Sequence, residues 1–242
     1  MANVVALSGG GIRAAVAAAQ QQREHLVILA HVDYGQVSAA AERRALHSLV
    51  ERFSLGKLVV LQFPYLQQLR QLPGLSLSAG NPPAPASGEP AGRPGGRLEP
   101  LPPGSVRGLL PTLLAIGVQV AQQVAAGTIT IGLTDTSPGP LSPPEAAPGQ
   151  MREFVHAYNA MLETALPSRS LVRVEAPLID LSFPEVIRLG QRYRVPFEWT
   201  YSCAGKGPQP CGACEGCQAR ARAFVAVGEV DPALAAPPPA RV

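Results

Sequence analysis

Short runs rich in β-branched residues alternate along this chain with stretches of helical period, and that alternation constrains the fold more than any other feature. Val4 to Leu7, Leu26 to Val32, Leu58 to Phe63, Thr128 to Leu133 and Leu171 to Glu175 read as buried strands. Roughly Arg13 to Glu24, Ser38 to Phe53, Leu109 to Ala126, Met151 to Leu166 and Phe183 to Tyr193 read as helices. Strand, helix, strand repeated in this order calls for parallel strands, because a parallel pair needs a long crossover and a helix is the compact one. The predicted architecture is an α/β fold, a Rossmann-like parallel five-stranded sheet with helices on both faces. In such a sheet ligands bind beyond the carboxyl ends of the strands, where the strand order reverses. The loops after the first, second and fourth strands are therefore the ones expected to carry function.

The chain's 242 residues suit one such domain with a small appendage. The α/β domain is expected to span 1–195, a small lobe 196–230 and a disordered tail 231–242. Two stretches, 73–104 and 137–149, are crowded with proline and glycine and lack apolar periodicity; they read as flexible loops. A net charge of +3 without a long basic block gives little support for direct nucleic-acid binding, so a small-molecule partner is expected. No apolar run reaches bilayer length: the segment Leu109 to Ala126 is broken by Gln119, Gln122 and Gln123. No secretory signal opens the sequence, and a cytoplasmic location with no membrane partner is expected.

The appendage announces itself through Cys203, Cys211, Cys214 and Cys217, which are all the cysteines the chain has. Two-residue gaps within Cys211-Gly212-Ala213-Cys214-Glu215-Gly216-Cys217 let neighbouring thiolates converge on one tetrahedral ion, and the gap after Cys203 supplies a loop for the fourth ligand. Structural zinc is the inference. Two disulfides are the alternative, disfavoured because such close cysteines are sterically poor partners for one another.

The loop after the first strand, Ser8-Gly9-Gly10-Gly11, leads directly into a helix. Consecutive glycines let backbone N–H groups approach a phosphate, and a helix N-terminus favours an anion; a plain turn is the equal alternative on local sequence. After the second strand, Asp33-Tyr34-Gly35-Gln36 could orient a nucleobase by hydrogen bonding and stacking. Locally a tight turn is favoured, with Asp33 capping the next helix and Gly35 at positive φ.

Taken in order, Ser8-Gly9-Gly10, Asp33-Tyr34-Gly35-Gln36, Thr200-Tyr201-Ser202-Cys203 and the cysteine cluster with Arg220 behind it resemble the 7-cyano-7-deazaguanine synthase family, from Val4 to about Phe224. That family belongs to the pyrophosphate-loop ATPases with an adenine-nucleotide alpha-hydrolase-like fold. The resemblance implies an ATP-dependent ligase of queuosine biosynthesis that adenylates 7-carboxy-7-deazaguanine, admits ammonia to form the amide, and activates that amide again to reach the nitrile. It assigns cofactor binding to Ser8, Gly9, Gly10 and Gly11, beside which Arg13 could offset phosphate charge by a device of its own, and substrate binding to Asp33, Tyr34, Gly35, Gln36, Arg107 and Asp135. Zinc falls to the four cysteines, and ATP with Mg²⁺ is the implied cofactor pair. The implied partner is a deazaguanine or a nucleotide; a homodimer is left open.

The chain departs from the family pattern at several of its reactive positions. The family loop reads Ser-Gly-Gly-x-Asp-Ser, and here its acidic and hydroxyl positions are Ile12 and Arg13. Ser38 replaces a histidine. Only Arg107 remains of a Pro-Gly-Arg-Asn stretch, Gly149, Gln150 and Met151 replace Asp, Cys and Arg, and the family's lysine falls at Phe183. Asp135 is the acidic residue retained after the fourth strand. Losing several preorganised groups, each commonly worth ~3 kcal/mol of barrier, predicts a ligase that is impaired or inactive. The alternative is a zinc-stabilised pseudoenzyme binding a nucleotide, a deazaguanine or a protein. A sulfur-transferring relative acting on tRNA fits less well, since no cysteine is left over from the zinc pattern.

Overall fold

A computed structural model describes residues 1–64, 108–135, 148–205 and 207–235. Its sheet holds five strands, all parallel, in the order β3-β2-β1-β4-β5. They are β1 Asn3–Leu7, β2 Leu26–Asp33, β3 Lys57–Gln62, β4 Ala126–Ile131 and β5 Arg173–Glu175. The helices are α1 Ile12–Gln21, α2 Ala39–Phe53, α3 Leu109–Gln123, α4 Gln150–Ala165, α5 Phe183–Arg192, α6 Glu215–Ala226 and the short α7 Pro232–Ala235. The chain winds from β1 outward to β3, then returns to place β4 on the other side of β1. The strand order thus reverses between β1 and β4, beside the glycine loop.

Side chains alternate across a strand, so each central strand feeds two cores. Ala6 and Leu29 join one cluster with Val16 of α1, Leu46 of α2, Ile187 of α5 and Phe224 of α6. Val5, Ala30 and Ile129 join the other, with Leu114 of α3 and Leu162 of α4. Helices cover both faces, as the alternation of elements predicts. Ala15, Val16, Ala17, Ala18 and Ala19 bring α1 close to the sheet because small side chains add little thickness. At the far edge, the Asn159 side chain donates to the Val174 carbonyl at 2.9 Å and accepts from its amide at 2.7 Å, closing the short strand β5 from α4.

Several element ends differ from the sequence reading. β4 stops at Ile131 because Gly132, Leu133 and Thr134 turn away and Asp135 donates its amide to Ile179. α3 ends at Gln123, since Ala125 takes φ 51° and Ala126 joins β4 opposite Asn3; tertiary pairing overrides helical propensity there. Helix α6 has no counterpart in the sequence reading. Asp231, expected to open a disordered tail, is 5% exposed and α7 follows it. The segments 73–104 and 137–147, Arg107 and residues 236–242 lie outside the described residues. Among the described residues no helix is long and apolar enough to cross a membrane.

Candidate functional site

The glycine loop leaves β1 at the point where the strand order reverses. Ser8 is buried, and its Oγ accepts the Gly10 amide at 3.2 Å. Gly10 takes φ +75°, and a Cβ there would lie 3.0 Å from the Ala45 Cβ and 3.1 Å from the Glu42 carbonyl oxygen, so the loop is seated tightly on α2. Gly9 is exposed, and Gly11 is the N-cap of α1. From below, the fully buried His31 contacts the Ser8 carbonyl through Nδ1 at 3.1 Å. Nothing in the spacing of the histidines marks this support; it arises because His31 follows Ala30, the register partner of Leu7.

The β2 loop forms a turn that binds itself. Asp33 Oδ1 accepts the Gly35 amide at 3.2 Å, Gln36 Oε1 accepts the Tyr34 amide at 2.9 Å, and Gly35 takes φ +91°. Asp33 therefore caps its own turn and not α2, whose N-cap is Ser38. Glu42, which the sequence reading passed over, joins the two loops. It accepts from Gln36 Nε2 at 2.9 Å and Ser38 Oγ at 2.5 Å, and lies 3.9 Å from His31 Nδ1.

On the other side of the sheet's carboxyl edge, Asp135 Oδ1 accepts the Met151 amide at 3.0 Å, satisfying one of the donors that the start of α4 leaves open. Ile12 is 1% exposed and Phe183 6%, both inside the core cluster that includes α1 and α5. Arg13 rests its guanidinium over the Phe183 ring, 3.9 Å from the centroid. Loss of solvation lowers the Arg13 pKa to about 10, which leaves it charged at neutral pH.

The four cysteine sulfurs lie within 4.8 Å of one another. Cys214 Sγ is 3.9 Å from Cys203 Sγ, close to the edge of about 3.8 Å that four Zn–S bonds of 2.3 Å give a tetrahedron. The amides of Gly205 and Cys211 donate to Cys203 Sγ at 3.2 and 3.3 Å, and the Cys214 amide donates to Cys211 Sγ at 3.3 Å. Donors of this kind favour thiolates: the amides of Cys214 and Ala213 hold the Cys211 thiol down to about 6, whereas burial pushes Cys217 up. This donor set fits a zinc ion, with Cys203, Cys211, Cys214 and Cys217 as its ligands.

The lobe is joined to the glycine loop and braced within itself, while Ala223 and Phe224 of α6 pack into the core beside α1 and α5. Tyr201 donates its amide to the Gly10 carbonyl at 2.8 Å and packs with Ala41 and Ala45 of α2. Arg220, on α6, is 4% exposed and fully engaged: it bonds Asp231 twice, at 2.6 and 2.8 Å, the Thr200 hydroxyl at 2.7 Å and the Phe197 carbonyl at 2.7 Å. Asp231 escaped the sequence reading because nothing local marks it as the partner of a residue on the preceding helix.

A parallel sheet with a glycine loop at its reversal point and a four-thiol lobe bonded to that loop defines a Rossmann-like α/β protein with a metal-binding appendage. Comparison with known proteins narrows the class. The family described as Queuosine biosynthesis protein QueC matches residues 2–228, and the chain belongs to that family. It is 32% identical over 234 residues to the 7-cyano-7-deazaguanine synthase of Methanothrix thermoacetophila, covering 96% of this chain and 98% of that protein. It is likewise 32% identical over 239 residues to the 7-cyano-7-deazaguanine synthase of Koribacter versatilis, covering 97% and 93%. Among solved structures, the U34-tRNA thiolase NcsA of Methanococcus maripaludis with its 4Fe-4S cluster matches with a TM-score of 0.48 and 14% identity, over 81% of this chain and 58% of that one.

Proposed function

We propose that this chain is a 7-cyano-7-deazaguanine synthase-like protein that keeps a nucleotide cradle on the glycine loop while its ligase reaction is impaired. The relatives' printed activity and the family match support a deazaguanine as the substrate class, and the family resemblance adds ATP. In this reading Ser8, Gly9, Gly10, Gly11 and Arg13 receive the phosphates, and Asp33, Tyr34, Gly35, Gln36 and Asp135 serve the base or the deazaguanine, with Arg107, outside the described residues, assigned to the same role by the family pattern alone. ATP supplies the group that turns a carboxylate oxygen into a leaving group. The chain's own part is to hold the two reactants in line and to keep water from the activated carboxylate.

The observation that carries the impairment is the burial of Ile12, 1% exposed in an apolar cluster where the family pattern puts an acidic residue. An alkyl side chain in a packed core offers a hard cation no oxygen. Magnesium does not fit this position. With Phe183 also apolar and buried, the lysine is not replaced in kind, and each such electrostatic group is commonly worth 10²–10³ in rate.

The test is incubation of the zinc-loaded protein with ATP, Mg²⁺, ammonia and 7-carboxy-7-deazaguanine, following AMP and the nitrile. The expected result is nucleotide binding with turnover at least about a hundredfold below that of the Methanothrix thermoacetophila synthase assayed beside it. Equal turnover overturns the impairment. A second reading, a zinc-stabilised pseudoenzyme holding a nucleotide, a deazaguanine or a protein partner, is favoured by the same buried Ile12 and Phe183; binding with no detectable AMP would select it.

A further inference from the structure

The first turn of α2 lies between the glycine loop and the Asp33–Gln36 turn, and its acidic residue, Glu42, reaches both. The Glu42 side chain is 16% exposed, and each carboxylate oxygen is engaged. Oε2 accepts from Gln36 Nε2 at 2.9 Å, and Oε1 accepts from Ser38 Oγ at 2.5 Å. Ser38 is the N-cap of α2, yet its hydroxyl makes no capping bond to the helix; it holds the carboxylate instead.

A carboxylate only accepts, and this decides how the Gln36 amide is turned. Its amino group faces Glu42 and the Val32 carbonyl, the latter at 3.2 Å, which leaves its own carbonyl oxygen for the Tyr34 amide at 2.9 Å. The conformation of the turn thus depends on an arm reaching out from α2. On its other side the same arm meets the glycine loop. Oε2 would lie 3.5 Å from a Cβ on Gly9, and it is 3.9 Å from His31 Nδ1, which contacts the Ser8 carbonyl at 3.1 Å. Both neighbours of that nitrogen are acceptors, so Nδ1 carries the proton and the imidazole stands between loop and arm. The ladder between β1 and β2 ends at Leu7 and Ala30, and beyond it these side chains join the two loops.

Resting on the nucleotide-binding reading above, we propose that Glu42 is a positioning residue that sets the separation of the glycine loop, which takes the phosphates, from the Asp33–Gln36 turn, which takes the base of the same nucleotide. Its reach does this, and not its charge. Both of its hydrogen bonds come from neutral groups, and a glutamine of equal length satisfies them too, its carbonyl accepting from Gln36 and its amino group donating to the Ser38 hydroxyl. The seat of the glycine loop itself does not need the side chain. A Cβ on Gly10 would lie 3.1 Å from the Glu42 carbonyl oxygen and 3.0 Å from the Ala45 Cβ, and both of these atoms remain in any variant at 42.

Calorimetry on the zinc-loaded full chain tests this, with ATP, inorganic pyrophosphate and 7-carboxy-7-deazaguanine as probes. Glu42→Ala is expected to weaken ATP about tenfold and to leave pyrophosphate within about threefold of the parent. Glu42→Gln is expected to bring ATP back to within about threefold, and Glu42→Asp, which keeps the charge on an arm one methylene shorter, to lose as much as alanine does. Thermal melting of each variant separates loss of fold from loss of affinity, and where the alanine variant does not fold, the glutamine and aspartate variants decide. ATP binding that survives in Glu42→Ala, or that aspartate restores and glutamine does not, overturns the inference and leaves the nucleotide reading intact. So does an equal loss of ATP and pyrophosphate, or a loss confined to 7-carboxy-7-deazaguanine. A folded parent chain that binds neither ATP nor pyrophosphate overturns the nucleotide reading and this inference with it.

Discussion

The amide of Tyr201 donates to the carbonyl of Gly10 at 2.8 Å, joining the segment that enters the four-cysteine lobe to the loop at the reversal point of the sheet. Zinc bound in such a lobe would do more than close a C-terminal appendage, because the backbone it would order is bonded to the glycine loop. Small zinc modules draw their folding energy from the ion, about 10 kcal/mol or more in finger peptides. Chelation, or Cys214→Ser, is therefore expected to loosen the Thr200–Cys203 segment and the glycine loop together. Hydrogen exchange at the amides of Gly10 and Tyr201 reads this out. Unchanged protection of both after zinc removal would show that the lobe does not hold the loop.

Arg220 and Asp231 form a doubly bonded pair with both side chains buried. Removing one partner leaves a charge stranded in the interior, at a cost of about 3–5 kcal/mol. Asp231→Ala is expected to lose that much in urea unfolding, and the double variant Arg220→Met, Asp231→Leu to lose markedly less. Equal losses in the single and double variants would mean that packing, and not the stranded charge, sets the cost.

Gly132 is where the end of β4 presses on the start of α1. A Cβ would fall 2.4 Å from both the Arg13 carbonyl carbon and the Ala14 nitrogen, backbone atoms that cannot rotate away. Gly132→Ala is expected to destabilise by about 3 kcal/mol and to weaken nucleotide binding by shifting α1. Gly127→Ala, with no atom within 4 Å of its Cβ, is the control and should unfold at the parent's denaturant midpoint.

Asp135 has two candidate roles that one substitution separates. As acceptor for the Met151 amide it stabilises the start of α4, and Asp135→Ala should cost about 1 kcal/mol. Asparagine caps nearly as well. A ligand affinity that drops in Asp135→Asn while the melting temperature holds would assign the carboxylate to the ligand, and an unchanged affinity would leave it as a cap.

The edge strand β5 depends on Asn159, whose amide takes both backbone groups of Val174. Asn159→Leu would leave a buried donor and acceptor unpaired, at about 2 kcal/mol or more. Faster amide exchange confined to Arg173–Glu175 would locate the loss; a global change with no local one would point to packing instead.

The sequence by itself determined the layers and the metal lobe. Apolar runs of strand length alternating with helical period specify a parallel sheet covered on both faces, because parallel strands need helical crossovers and the central strands are buried on both sides, although the edge strand β3, read as buried, has no buried residue. The spacing of Cys203, Cys211, Cys214 and Cys217 specifies a tetrahedral thiolate site, since ligands so close in sequence have little choice of geometry. Both signals are local, and both are legible without a fold. Tertiary structure alone decided what the special residues do. The local sequence favours a tight turn at Asp33–Gln36, with Asp33 capping the next helix; the fold keeps the turn but closes it with the Asp33 and Gln36 side chains on its own amides, and it sets Asp135 against the start of α4. Ile12 and Arg13 read as two losses from one motif, yet one enters the core and the other meets Phe183. Asp231 reads as the start of a tail, yet it neutralises Arg220. Each of these outcomes depends on which distant surface packing brings within about 4 Å, and neither periodicity nor spacing carries that distance.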